Sequence, residues 1–400
     1  MKALKSQRLH IGIFGKTNVG KSSLINKITG QDISIVSDIA GTTTDVVEKS
    51  MELLPIGPVN FLDTAGINDV SALGQERLEK TMKVINRVDI AVIVCDYNGL
   101  DKFELDLIDK FNELEIPYII VVNKTDEGQI ELKKLEEIGE YCKNFITTST
   151  ISDNDLVYKF KNAIIGMLPE DFVNPPKIAG DLVDEKSTVI LVIPIDKEAP
   201  KGRLILPQVQ VLRDLLDSNC KVLCVKETEL KDAISSLKEK PSLVITDSQA
   251  FKKVNEIVPE DIDLTSFSIL FARLKGDLSA FTEGARAIDS LQNGDKVLIL
   301  ESCTHHAIED DIGKVKIPNL LRKRTGKDLV IENFSGHDFP DISQYKLIVH
   351  CGACMTNRRE ILSRIIKANQ NGVPITNYGI TISYCLGILD RAVKIFKKQL

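Results

Sequence analysis

Between residues 15 and 22 the chain reads Gly15-Lys16-Thr17-Asn18-Val19-Gly20-Lys21-Ser22, and few stretches of eight residues restrict a fold more. The spacing G-x4-G-K-[ST] works where a loop leaves a strand and enters a helix. Its glycines let the backbone curl until the N–H groups face phosphate oxygens, and the following helix N-terminus adds a favourable dipole and further donors. The required context is present: the apolar run Ile11 to Phe14 precedes the loop, and an amphipathic stretch, Ser23 to Ile28, follows it. Such a chain is expected to be an α/β protein built on a parallel sheet. Lys21 would reach the β- and γ-phosphates and the Ser22 hydroxyl would ligate Mg²⁺. Gly15, Asn18, Val19, Gly20 and Ser23 complete the cradle.

Three more elements follow in order, each tied to a loop or strand end. Asp63-Thr64-Ala65-Gly66 comes directly after the apolar run Val59 to Leu62. There Asp63 can hold Mg²⁺ through water and the Gly66 amide can sense the γ-phosphate. Asn123-Lys124-Thr125-Asp126 follows the run Tyr118 to Val122. Its aspartate can accept both hydrogen bonds from the N1 and N2 edge of guanine, which adenine does not offer. Gly41-Thr42-Thr43-Thr44-Asp45 lies between the first two motifs, where a threonine loop would close over Mg²⁺. A chance glycine turn does not bring three such partners with it, so the four together specify a GTP site.

Over residues 8 to 168 these motifs resemble the TrmE–Era–EngA-like branch of the translation-factor-related GTPases. The resemblance implies Thr43 as a Mg²⁺ ligand beside Thr42, and Ser149 as a base contact. Thr147-Thr148-Ser149-Thr150 departs at Thr150 from the usual Ser-Ala element. Asn18 stands where potassium-activated members ligate K⁺, a cation that does the work of an arginine finger, assisted by carbonyls here around Ser37 to Thr42. Ile67 occupies the position where many GTPases carry the glutamine that orients water. Slow, K⁺-stimulated hydrolysis is therefore expected, with Lys21, Thr43 and Asn18 as the catalytic set. In the alternative, Asn18 only buttresses the loop. Asp69 and Glu76 are near in sequence, and neither is identified as a general base.

At 400 residues the chain is too long for one ordinary core. Residues 1–168 alternate strand-like and helical runs, including Leu9 to Phe14 and Ile90 to Cys95. Residues 169–186 hold three prolines and several acidic residues, which is linker composition. A second α/β pattern occupies 187–275, with strand-like runs Val189 to Ile195, Lys221 to Val225, Leu243 to Thr246 and Phe267 to Ala272. Between them Gln208 to Asp217, Glu229 to Leu237 and Ala250 to Val258 read as helices. So small a parallel sheet leaves exposed edges, which invite pairing with another chain, and homodimerisation through this middle domain is expected. Residues 276–400 open with a helical stretch, Leu278 to Leu291. Strand-like runs Lys296 to Glu301 and Tyr345 to Val349 follow, then a helix, Arg358 to Asn369. The expectation is three α/β domains, a P-loop GTPase fold followed by two smaller parallel-sheet domains.

Fifty-one basic against fifty-seven acidic residues give a net charge of −6, against the basic footprint of a nucleic-acid binder. The first ten residues carry no apolar signal-peptide core, and no run of about 18 apolar residues suits a membrane span. A cytoplasmic protein is expected. Its eight cysteines are then not a disulfide framework.

The chain reads Cys303-Thr304-His305 and, after 44 further residues, His350-Cys351-Gly352-Ala353-Cys354. Both clusters stand at the carboxyl ends of expected strands, where open α/β sheets bind ligands. Three cysteines suit a [4Fe–4S] cluster with one iron left for an exchangeable ligand. They suit zinc equally well if His305 or His350 completes a tetrahedron. Cys95, Cys142, Cys220, Cys224 and Cys385 read as packing residues.

The pattern C-x-H-x44-H-C-x2-C joined to an N-terminal GTPase resembles the maturation GTPases of FeFe hydrogenases, the HydF family, over the full length. That resemblance implies Cys303, Cys351 and Cys354 as cluster ligands, with His305 and His350 as signature histidines that are either ligands or neighbours of the cluster. It also implies a scaffold that receives a di-iron subcluster from radical-SAM maturases and delivers it to the hydrogenase apoprotein, with GTP hydrolysis as a switch. The competing expectation is a ribosome- or tRNA-linked GTPase with structural zinc.

Overall fold

A computed structural model describes residues 8–30, 47–64, 81–173, 176–195, 204–301, 312–336, 339–352 and 356–398. It divides into two compact units, residues 1–175 and 176–400.

The first unit is built on a six-stranded sheet of order β2-β3-β1-β4-β5-β6. The strands are β1 (Leu9–Phe14), β2 (Val47–Leu53), β3 (Gly57–Asp63), β4 (Ile90–Cys95), β5 (Tyr118–Val122) and β6 (Ile146–Thr147). β1, β3, β4, β5 and β6 run parallel and β2 lies antiparallel on the edge of β3. β1 and β4 are buried along their whole length, which is why they read as continuous apolar runs rather than alternating ones. Helices α1 (Lys21–Thr29), α2 (Lys102–Glu113), α3 (Leu132–Tyr141) and α4 (Leu156–Ile165) flank the sheet. Two apolar clusters form, one containing Ile11, Ile13 and Phe160, the other Phe14, Leu62 and Phe111. β2 and β6 escape sequence reading because one is an edge strand with charged residues and the other has only two residues.

The second unit contains two four-stranded sheets, both entirely parallel. The first comprises β7 (Thr188–Val192), β8 (Lys221–Val225), β9 (Leu243–Thr246) and β10 (Asp263–Ser266); the second comprises β11 (Lys296–Glu301), β12 (Val330–Ser335), β13 (Leu347–His350) and β14 (Ile375–Asn377). Their orders are β8-β7-β9-β10 and β12-β11-β13-β14, one plan used twice. A single apolar cluster runs through both, from Ile178 to Phe396. Regions 187–275 and 276–400 thus own separate sheets and share one core. Part of the expected linker also belongs to this unit: Ala179 is buried, and the Asp214 carboxylate accepts from the Ile178, Ala179 and Gly180 amides at 3.1, 2.8 and 2.8 Å.

Three expectations require correction. Val189 to Ile195 is strand only as far as Val192, just before Pro194. Leu278 to Leu291 is α-helical to Arg286 and continues as a 3-10 turn, Ala287–Ser290. Phe267 to Ala272 is not a strand but the start of a helix, Phe267–Lys275, and the strand precedes it as β10. The Ser266 hydroxyl accepts from the Ile269 amide at 3.3 Å and begins that helix. A short run apolar on all sides carries no period that separates strand from buried helix.

Candidate functional site

Each glycine of the P-loop has its own steric reason. Gly15, at the end of β1, has φ +135°, and a Cβ there would lie 2.1 Å from the Val94 carbonyl oxygen. Gly20 has φ +94°, and its Cβ would meet Asn123 Nδ2 at 2.2 Å. That approach matters because Asn123 ties three motifs together. Its Nδ2 donates to the Val19 carbonyl at 2.9 Å, and its Oδ1 accepts from the Thr150 amide at 3.1 Å. Asn18 takes a left-handed conformation, φ +66°, which asparagine tolerates better than most residues.

Lys21 is buried, and its ammonium donates to the Gly15 and Lys16 carbonyls at 2.8 and 2.5 Å. Those contacts aim a cation at the mouth of the loop. Ser22 Oγ donates to Asp63 Oδ2 at 3.1 Å, so a hydroxyl and a carboxylate stand side by side, the oxygen pair a hard cation such as Mg²⁺ takes. Thr64 Oγ1 donates to the Ile13 carbonyl at 2.7 Å and ties β3 to β1. A cavity of about 1010 Å³ opens here, lined among others by Asn18, Lys21, Ser22, Ser23, Asn123 and Asp126. Lys124, which also lines it, pairs with Glu127 at 3.0 Å. Ser149 is buried with its hydroxyl accepting from the Ile151 and Ser152 amides, both at 3.2 Å. Thr42, Thr43, Gly66, Ile67, Asp69 and Glu76 lie outside the described residues.

Sequence reasoning missed Glu104. This buried carboxylate, in the first turn of α2, accepts from the Lys16 amide through Oε1 at 3.2 Å and from the Asp101 amide through Oε2 at 3.3 Å. Lys16 in turn pairs with Asp101. Burial raises the Glu104 pKa above its ordinary value. The available signal was the spacing Asp101-x-x-Glu104, which forms a capping box at the start of α2.

In the second unit β11 and β13 are neighbours, with Leu300 opposite His350. The chain goes from β11 outward to β12 and then back to β13 on the other side, so the crevice beyond their carboxyl ends is the topological switch point. The Cys351 amide donates to the Leu300 carbonyl at 2.8 Å and extends the pairing one residue past the strand. In the sequence, Cys303 follows Glu301, the last residue of β11, by two positions. Glu301 is held by the Tyr378 hydroxyl at 2.9 Å. Cys303, His305, His306, His337 and Cys354 lie outside the described residues. No group of three His, Cys, Asp or Glu side chains suited to a metal occurs among the described residues. The half-buried Cys351, with soft sulfur at a switch point, fits an iron–sulfur or zinc ligand. Burial pushes the Cys95 and Cys385 thiols up to about 12, so neither is a ready thiolate.

The comparisons divide along the same lines as the fold. Residues 10–124 match the family described as 50S ribosome-binding GTPase. Residues 178–276 match the hydrogen maturase F dimerization domain and residues 279–395 the hydrogen maturase F tetramerization domain. GTPase Der of Wolinella succinogenes is 40% identical over 136 residues, which is 32% of this chain and 28% of that protein. The tRNA modification GTPase MnmE of Caldicellulosiruptor saccharolyticus is 37% identical over 160 residues, 39% of this chain and 33% of that protein. The chain therefore spans about a third of the length of these curated relatives. A solved structure of Era from Aquifex aeolicus is 22% identical and covers 54% of this chain and 93% of that one at a TM-score of 0.34, too loose an overlap to carry an argument.

Proposed function

This chain belongs to the hydrogen maturase F family, and we propose that it is a GTP-hydrolysing scaffold that carries an iron–sulfur cluster and the di-iron subcluster during FeFe-hydrogenase maturation. The observation that carries the cluster half is that β11 and β13, the strands that precede Cys303 and Cys351 in the chain, end side by side at a switch point. Cys303, Cys351 and Cys354 would hold a [4Fe–4S] cluster, which supplies an open iron site for cargo. The GTPase half is supported by the cavity at the P-loop and by the matched GTPase family.

In the first unit Asp126 reads the guanine edge while Asn123 fastens the base-binding loop to the P-loop. Lys124 lines the base side and Ser149 braces its turn. Lys21, oriented by two carbonyls, neutralises phosphate charge, and Gly15, Val19, Gly20 and Ser23 supply the curled backbone around it. Ser22, Thr43 and Asp63 would bind Mg²⁺, with Thr42, Thr64 and Gly66 beside them. Asn18, at the cavity, would ligate K⁺, a charge that stabilises the transition state where Ile67 offers no water-orienting amide. Domain roles follow: GTP binding in 1–168, a linker from 169, dimerisation in 187–275 and cluster binding in 276–400. Partners would be a second copy, radical-SAM maturases and the hydrogenase apoprotein, with hydrolysis switching their association in the cytoplasm. Among the described residues no helix is long and apolar enough to cross a membrane.

Anaerobic reconstitution of the full chain tests the cluster half: about four irons per chain are expected. A colourless protein holding one zinc would overturn it in favour of a structural metal site on a tRNA- or ribosome-linked GTPase. Turnover of GTP in K⁺ buffer should exceed that in Na⁺ buffer, and equal rates would reduce Asn18 to a loop buttress.

A further inference from the structure

His350, the last residue of β13, is buried, and both of its ring nitrogens are engaged. Nε2 lies 2.7 Å from a terminal nitrogen of Arg364. A guanidinium has donors and no acceptor, so Nε2 must be the acceptor and carry no proton. The one N–H of the neutral ring is then at Nδ1, where it donates to the Cys351 carbonyl at 2.8 Å. Arg364, 3% exposed in its side chain, also donates to Glu360 Oε1 at 2.7 Å and to the Gly336 carbonyl at 3.1 Å. Glu360 and Arg364 sit one turn apart on the helix Arg358–Gln370. The series Glu360, Arg364, His350, Cys351 carbonyl thus runs from that helix into the peptide of the cysteine.

We infer that His350 is not an iron ligand but the positioning residue that, held by Arg364 and Glu360, fixes the Cys351 peptide and so the direction of its thiol. Ligation through Nε2 would strip a buried guanidinium of an acceptor, a loss comparable to breaking a charged hydrogen bond. Ligation through Nδ1 would cost the proton and the carbonyl contact. The present arrangement pins the cysteine at both ends, since its amide donates to Leu300 while its carbonyl accepts from His350. Residues that hold ligands in place without touching the metal set its affinity in this way. The consequence for Cys351 rests on the cluster reading above; the state of the His350 ring does not.

Three measurements on the full chain separate the state of the ring from its consequence for Cys351. In metal-free protein labelled with ¹⁵N in its histidine rings, the signals lost in His350→Gln should be those of a neutral ring protonated at Nδ1. A ring protonated at Nε2 or at both nitrogens would overturn the inference, whether or not iron binds. After anaerobic reconstitution, His350→Gln and Arg364→Gln should lose iron to a chelator about tenfold faster than wild type, with Arg364→Lys between them. Any histidine ¹⁵N coupling in the pulsed EPR spectrum of the reduced cluster should be the same in wild type and His350→Gln. A coupling that vanishes in His350→Gln, or unchanged iron loss in the variants, would overturn the assignment. If Arg364→Gln lacks the wild-type circular dichroism spectrum, His350→Gln and Arg364→Lys decide the matter. Failure of the wild-type chain to take up iron would remove the cluster reading and leave the ring measurement intact.

Discussion

At the scale of single residues, polar groups at the nucleotide cavity serve more than one neighbour. Glu104 shows what this costs. It joins the start of α2 to the P-loop by accepting two amides, yet its burial disfavours the ionised form. A carboxyl whose folded pKa is raised binds more protons in the native state than in the unfolded one between the two values. Its effect is absent at pH below the unfolded value and appears as a loss of stability while pH rises through that window. Urea unfolding of the first unit should therefore show stability falling as pH climbs from about 4.5, and Glu104→Gln should flatten that fall. The same variant turns an amide nitrogen toward a backbone donor and should weaken GTP binding by about 1–2 kcal/mol, measured by titration calorimetry. Unchanged affinity would mean the P-loop holds its shape without α2. The P-loop and the Asn123-Lys124-Thr125-Asp126 motif could be read from the sequence because each is a contiguous string. Glu104 was not, because its partner Lys16 is 88 residues away.

Among elements, the second unit repeats itself. In each sheet the last strand feeds directly into a helix capped by its own final residue, Ser266 for the helix Phe267–Lys275 and Asn377 for the helix Tyr378–Cys385. In each, a proline stands at the start of the helix after the first strand, Pro207 in Leu206–Asp217 and Pro318 in Ile317–Thr325. The two capped helices meet at matching positions: a Cβ on Gly379 would lie 2.2 Å from Ser268 Cβ. Gly379→Ala should destabilise this unit by about 1–3 kcal/mol through overpacking. Ser268→Gly in the same chain should restore most of the loss, which a denaturant-based double-mutant cycle reads directly. Additive effects would show that the helices tolerate separation. Nothing in the residues Phe267 to Ala272 announces this contact; the helix exists because its apolar surface is buried on several sides at once, a fact of packing rather than of local pattern.

For the whole molecule, the sheet of the middle region has one covered edge and one open one among the described residues. The helix Leu389–Val393 packs on β10, and Arg391 donates to the Val258 carbonyl at 2.9 Å nearby. β8 forms the opposite edge of that sheet, with Cys224 exposed on it. The match to a dimerization domain over 178–276 accords with the pairing tendency of such an edge. Cys224→Lys would set like charges against each other across a two-fold pairing of β8. Sedimentation should show self-association through this region weakened, with GTP hydrolysis by the first unit unchanged. An unaltered assembly would move the interface elsewhere.

By itself the sequence determined the ligand class of the first unit and the two strand ends from which the cysteines depart, since loops that cradle phosphate and strands buried on both faces are written in neighbouring residues. Tertiary structure alone decided that Glu104 braces the P-loop, that Phe267 starts a helix, and that His350 faces Arg364. Desolvation and the choice of hydrogen-bond partner depend on segments far apart in the chain, and only folding brings them within reach.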